Sequence, residues 1–313
     1  MLAFEESFFD EEERDGFKIP RLMKRAWAAE LEVLIQFGEI CRVNGIRYYL
    51  GCGTLLGAVR HGGFIPWDDD IDVWMLREDV ARLNDLPTEV FKAQGLELIN
   101  SYRDEKNRNL AWRVDNGRTL MLQEDHLLRY HLCPFALGID IFPLDYLPRD
   151  AEKEREQDVL LAKANTYARK WEDMSIPAEE KTGIYHKLCE VFDEKFPDEM
   201  PMQQRLMILS DRVMSMYGAE DGELIASVPE KGENGGRRFR PDWFGEPVPI
   251  AFEGIEFPAP CQAEKVLAAE YGEDYMKPQR AYLAHDYPFY KNQYIKLLNL
   301  LEANHMECPS FFE

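Results

Sequence analysis

The sequence predicts an α/β (α+β) fold, and three observations point to it. Residues 20–45 place Leu31, Leu34, Ile35, Gly38 and Cys41 at helical spacing and stop at Asn44-Gly45, so an amphipathic helix feeds an apolar strand at Ile46–Leu50. A Gly-rich turn, GCGT, follows and opens a short helix over about Thr54–Val59, released at Gly62-Gly63. The run WDDDIDVWM then alternates, with Asp70, Asp72 and Trp74 on one side of an extended chain and Ile71, Val73 and Met75 on the other. Strand, helix and strand in this order describe helices packed on a sheet.

The remaining elements follow in chain order. Residues 1–19 are acidic with interspersed Phe and read as a loosely held N-terminal arm. After the Asp-bearing strand come a polar helix near Glu78–Leu83, a helix over Thr88–Gln94 stopped by Gly95, and a strand at Leu96–Ile99. The segment NLAWRVDNGRTLML reads as a hairpin turning at Asn116-Gly117. In ALGIDIFPLDYLP, Gly138, Asp140 and Phe142 share one strand face, and an Asp inside so apolar a run is a candidate third carboxylate for the same site. Residues 150–218 interleave charged and apolar positions between Pro177, Pro197 and Pro201, which predicts two to three helices capping the sheet. A Gly-rich loop with Arg237, Arg238 and Arg240, a hairpin turning at Glu253-Gly254, a helix ending at Gly272 and a closing helix complete the chain. The predicted organisation is the arm 1–19 and one domain 20–313, divided into a core (20–149), a helical insertion (150–218) and a C-terminal subregion (219–313).

Composition bounds the function. The 313 residues, 45% hydrophobic and 12% aromatic, suffice for a sizeable core. A net charge of −21 argues against nucleic-acid partners, which need Lys and Arg to neutralise phosphates. The acidic, mixed start does not resemble a signal peptide and no apolar run is long enough to span a bilayer, so a soluble, cytoplasmic protein without a transmembrane segment is expected. Six scattered cysteines, without a CxxC pair, read as reduced thiols.

The chemistry concentrates in residues 48–75. Two carboxylates one residue apart on a strand repel each other unless a cation sits between them, so Asp70 and Asp72, supported by Asp68 and completed by Asp140, are the candidate catalytic and metal-binding residues. A calcium loop is excluded, because D-x-D-x-D from Asp68 would require Gly sixth and Glu twelfth where Val73 and Asp79 stand. Mg²⁺ or Mn²⁺ is the expected cofactor. Asp69, pointing the other way, is expected to be dispensable. Gly51, Gly53 and Thr54 follow a strand and open a helix, the arrangement in which backbone N–H groups receive phosphate, with Arg60, His61 and Arg113 as neutralising groups. Arg237, Arg238, Arg240 and Trp67 are candidates for gripping a donor, and Trp74, Trp112, Tyr48 and Tyr49 could add cation–π contacts. The other histidines have no ligand spacing, and no nucleophile-elbow motif occurs.

The block GCGTLLGAVRHGGFIPWDDDIDV resembles the signature of the LicD family, related to the fukutin-type proteins. GIDIFPLDYLP is similar to the family's second block, and FEGIEFPAP with YGEDYMKPQ to its C-terminal block. The resemblance implies a nucleotidyltransferase-type mixed sheet flanked by helices, with Asp70, Asp72 and Asp140 as its carboxylates and Gly51 and Gly53 at its phosphate turn. It further implies Mg²⁺-dependent transfer of a phosphoalcohol, phosphocholine first among the candidates, from a CDP-linked donor to a hydroxyl of a glycan or glycolipid acceptor, with release of CMP. The alternatives are nucleotidyl transfer with release of pyrophosphate, and a non-catalytic nucleotide-binding relative.

Overall fold

The architecture is a mixed sheet with the Asp-bearing strand inside it. The computed structural model describes residues 2–231, 237–279 and 287–305; His285, Cys308 and residues 232–236 of the Arg-bearing loop lie outside them. A short hairpin, β1 (Glu12–Arg14) and β2 (Phe17–Ile19), precedes helix α1 (Arg21–Val43). α1 buries Trp27, Leu31, Leu34 and Phe37 in the main core and ends where Gly45 takes a φ of +61°, a conformation glycine adopts without strain. The order continues with β3 (Tyr49–Leu50), α2 (Cys52–His61), β4 (Ile71–Leu76), α3 (Arg77–Asp85), α4 (Thr88–Ala93), β5 (Glu97–Ile99), β6 (Trp112–Asp115), α5 (Glu124–Arg129) and β7 (Gly138–Leu147).

These strands form one sheet in the order β3-β4-β7-β6-β5. β4 and β7 are parallel, while β3–β4, β7–β6 and β6–β5 are antiparallel. The outer half of β7 pairs instead with β8 (Leu224–Ala226). The helical segment contains three helices, α6 (Ala151–Arg169), α7 (Ala178–Phe192) and α8 (Met202–Met214), around a second apolar cluster that includes Leu161, Leu188, Leu206 and Leu209 with Leu147 of β7. The expected second hairpin is β9 (Val248–Phe252) with β10 (Ile255–Ala259), followed by α9 (Ala263–Tyr271) and α10 (Lys291–Ala303). Among the described residues no helix is long and apolar enough to cross a membrane.

Two expectations change. The hairpin at Asn116-Gly117 does not form, because β6 is an inner strand with both edges already taken by β5 and β7. Asn116 instead accepts the Leu137 N–H on its side chain (3.0 Å) and donates its own N–H to the Leu137 carbonyl (2.9 Å), clamping the chain ahead of β7. Residues 1–19 are docked rather than loose where described: Ile19 is buried, Arg14 donates to Glu253 (2.9 Å) and Lys24 to Glu12 (2.8 Å).

One polar cluster joins the sheet to the helical segment. Arg77, the first residue of α3, donates to both oxygens of Asp145 on β7 (2.6 and 2.7 Å) and to Asp211 on α8 (2.9 Å), which also accepts from the Tyr102 hydroxyl (2.8 Å). Both carboxylates are buried. Arg77→Ala leaves them without their cation and is expected to cost about 3–5 kcal/mol of stability, measurable by urea denaturation; a loss within the scatter of surface substitutions would show that the cluster does not hold the two layers together.

Candidate active site

The sheet register creates the site. Asp72 on β4 stands directly beside Asp140 on β7, and Arg113 on β6 stands beside Asp140 on its other side. Carboxylate oxygens of Asp70, Asp72 and Asp140 lie within 4.8 Å of one another, and so do those of Asp68, Asp69 and Asp70. Burial, followed by the charges of Asp70 and Asp140, pushes the Asp72 carboxyl well above its usual range. The Asp68 carboxyl is raised in the same way, first by burial, then by Asp70, with which it shares a hydrogen bond. Crowded, partly desolvated carboxylates lack positive charge, and an all-oxygen donor set is what Mg²⁺ and Mn²⁺ prefer. The residues fit a hard divalent cation.

Backbone contacts from α2 hold this cluster. The Gly51 N–H donates to the Asp72 carbonyl (2.9 Å), and the Asp72 N–H donates to Thr54 Oγ1 (2.8 Å). Thr54, expected at phosphate, thus braces Asp72. The glycines serve close approach: a Cβ on Gly51 would meet the Trp74 indole at 3.0 Å, and one on Gly53 would collide with the Asp68 carboxylate. Arg113, also expected at phosphate, is engaged with Asp140 (2.7 Å) and Asp115 (3.1 Å) and so orients the third carboxylate. Asp69 does not point away from the cluster, since its carboxylate lies with those of Asp68 and Asp70. It is fully buried and accepts the Phe289 backbone N–H at 2.5 Å. The strand begins only at Ile71, so alternation cannot be extended back to residue 69.

A cavity of about 550 Å³ opens beside the cluster, between α2 and α9. Asp68, Asp70, Asp72 and Asp140 line one part of it, and Arg60, Arg237 and Lys277 bring positive charge to it. Arg60 Nη1 donates to the Tyr275 carbonyl (2.9 Å), while Arg237 bridges Glu230 (2.9 Å) and Glu270 (3.5 Å). Trp67, Tyr271 and Tyr275 supply aromatic surface. The arginine group of the sequence is therefore split: Arg238 binds Glu154 of α6 (2.6 Å) and Arg240 binds Asp242 (3.0 Å), away from this cavity. His61 pairs with Asp15 (3.1 Å), and burial together with the charge of Arg60 lowers its pKa, so it adds little positive charge. Tyr48, Tyr49, Trp74 and Trp112 are core residues and form no aromatic cage.

Sequence reading missed Glu270, Tyr271 and Lys277. Burial lifts the Glu270 carboxyl to about 7 even though Arg237 opposes the shift, and Glu270 in turn adds to the field that raises Asp72. Tyr271 and Lys277 belong to the block YGEDYMKPQ, whose Tyr and Lys were the available signal.

Residues 45–149 match the family model described as LicD/FKTN/FKRP, nucleotidyltransferase domain. Among curated relatives, the chain is 54% identical over 56 residues to a lipopolysaccharide cholinephosphotransferase LicD of Haemophilus influenzae, covering 18% of this chain and 21% of that protein. It is 52% identical over 47 residues to the human ribitol 5-phosphate transferase FKRP, covering 15% of this chain and 10% of that one. The matches thus span about a fifth or less of these relatives. The LicD-type segment contains all the crowded carboxylates, whereas Arg237, Glu270, Tyr271 and Lys277 lie outside it.

The electrostatics have a sign that can be measured. With its folded pKa above the ordinary 3.8, Asp72 keeps a proton that the unfolded chain releases, so the metal-free protein loses stability as pH rises from about 4 toward the raised folded value. Asp72→Asn removes that titration and is expected to unfold at a higher temperature than the parent near pH 7 in chelator, while Mg²⁺ stabilises the parent more. Equal unfolding temperatures in chelator would contradict the crowding. Gly53→Ala, by displacing Asp68, is expected to weaken Mn²⁺ binding by calorimetry about tenfold, the scale for disturbing groups that support a metal site.

Proposed function

We propose that this chain is a Mg²⁺- or Mn²⁺-dependent transferase that moves a phosphoalcohol from a CDP-linked donor to a hydroxyl of a cell-surface glycan or its precursor, releasing CMP. The observation that carries the reading is the meeting of Asp70, Asp72 and Asp140 oxygens within 4.8 Å on the wall of a cavity also lined by Arg60, Arg237 and Lys277. Carboxylates to hold a cation and basic groups to receive phosphate are what phosphoryl transfer needs. The printed activities of the two relatives, cholinephosphotransferase and ribitol 5-phosphate transferase, support transfer of a phosphoalcohol. Phosphocholine is the leading candidate, supported by the bacterial relative and by Trp67 in the cavity.

Asp70, Asp72 and Asp140 would hold the metal ion, with Asp68 in support. When bound, the ion supplies charge neutralisation at the diphosphate and the departing phosphate. Arg60, Arg237 and Lys277 orient the donor phosphates, and Trp67, Tyr271 and Tyr275 offer stacking surface. Asp140, one oxygen of which is held by Arg113, completes the metal site or takes the proton of the attacking hydroxyl. The acceptor oxygen then bonds to phosphorus, the bond to CMP breaks, and its electron pair leaves with CMP.

Incubation with CDP-choline, CDP-ribitol or CDP-glycerol and Mg²⁺ is expected to yield CMP, measured by anion-exchange chromatography; pyrophosphate instead would assign the chain to nucleotidyl transfer. Asp72→Asn is expected to lower turnover roughly 10³-fold or more, equivalent to about 4 kcal/mol of transition-state stabilisation, with an unchanged circular dichroism spectrum. Retained turnover in that variant would remove Asp72 from the site.

A further inference from the structure

We propose that a second cavity, between the start of β6, β7 and helix α6, is the acceptor subsite, and that it takes an anionic polyol: a polyhydroxylated acceptor bearing a phosphate or carboxylate near the reacting hydroxyl. The proposal rests on the transferase reading above.

Position comes first. The cavity, about 350 Å³, is bounded by Asn109 and Arg113 on one side, Asp140 and Phe142 on the floor, and Asn165 and Arg169 of α6 on the other side. It shares Asp140, Phe142 and Glu230 with the larger cavity beside α2 and α9. The two spaces therefore meet at Asp140, the carboxylate that completes the metal site or takes the acceptor proton. A nucleotide in the larger cavity and an acceptor in the smaller one approach Asp140 from different sides, as a displacement with entering and leaving oxygens roughly in line requires.

The lining then selects the chemistry. Asn109, Asn165 and Ser227 are uncharged hydrogen-bonding groups suited to sugar or polyol hydroxyls. Charge adds the second requirement. Arg113 is already engaged with Asp140 and Asp115, and Glu230 with Arg237. Arg169 is exposed, and its only described side-chain hydrogen bond runs from Nε to Asn165 Oδ1 (3.0 Å). Arg108, adjacent in sequence to Asn109, donates to the carbonyls of Glu105 and Asn107 (2.7 and 2.8 Å). Among the described residues neither Arg108 nor Arg169 forms an ion pair, although the chain has 58 acidic residues against 37 Lys and Arg. Burial lowers the Arg108 pKa; the charge of Asp104 opposes that shift and the nearby charge of Arg169 adds to it. Arg169, a guanidinium on the wall of a polar cavity, is matched by a bidentate anion. This also gives the helical segment a role, since α6 supplies the outer wall.

The test uses galactose 6-phosphate and glycerol 3-phosphate as probes, with galactose and glycerol as neutral counterparts, followed by saturation-transfer NMR on the full chain with Mg²⁺. The phosphorylated probes are expected to bind about tenfold or more tightly than the neutral ones, to lose about tenfold in Arg169→Glu, and to recover in Arg169→Lys. Asn165→Ala should weaken galactose 6-phosphate while CDP-choline affinity stays within about twofold in every variant. Equal binding of charged and neutral probes, no binding of any probe, or an unchanged affinity in Arg169→Glu overturns the subsite. Failure of the transferase reading is distinguishable: CDP-choline, CDP-ribitol and CDP-glycerol would all fail to bind the parent protein with Mg²⁺, whatever the sugar probes do.

Discussion

The parallel pairing of β4 with β7 is the contact on which the site depends. It sets Asp72 beside Asp140, and the antiparallel strand β6 then sets Arg113 on the far side of Asp140. Two carboxylates and a guanidinium thus lie across three adjacent strands, where backbone hydrogen bonds fix their spacing more tightly than loops could. A one-residue slip between β4 and β7 would turn one carboxylate to the other face of the sheet. The apolar alternation of both strands, Ile71 and Val73 against Ile139 and Ile141, resists that slip because all four are fully buried.

Carboxylates held this close oppose folding, and the surrounding structure compensates. α2 is stitched to Asp72 through Gly51 and Thr54, Asp69 is tied to the C-terminal segment at Phe289, and Trp74 packs on Phe239 and Phe244 behind the cluster. Rigid support of a strained electrostatic arrangement is the usual condition of a site that binds a cation, because the ligands are repelled from one another until the ion arrives. Positive charge stands close by, since Arg60, Arg237 and Lys277 line the same cavity as the carboxylates.

The likeness to known proteins covers one stretch of the molecule. Residues 45–149 carry the carboxylates, the Gly turn and the sheet that joins them. The walls of both cavities are shared: Arg60, Trp67, Asn109 and Phe142 lie inside the matched residues, while α6, α9 and the segments near Glu230 and Lys277 lie outside them. The carboxylates therefore all sit within the matched stretch, whereas the cavities beside them are completed by elements from the rest of the chain.

Most of the fold was legible locally. The helices at Arg21–Val43, Cys52–His61 and Ala263–Tyr271 and the Glu253-Gly254 hairpin follow from periodicity and stop signals, and the Asp70, Asp72, Asp140 set from acids placed inside apolar strands. The partners of those residues were not legible. Asn116-Gly117 has the composition of a tight turn, yet sheet order made β6 an inner strand; Arg113 and Arg238 have the composition of phosphate ligands, yet Asp140 and Glu154 reach them first. Alternation also could not place Asp69, since it applies only once a strand has begun. Sequence by itself determined which residues carry charge on which face of each element, because side-chain direction follows from backbone period. Tertiary structure alone decided which charges meet, because contacts such as Asp69 with Phe289, or Arg237 with Glu270, join elements far apart in the chain and depend on how the whole sheet and its helices close.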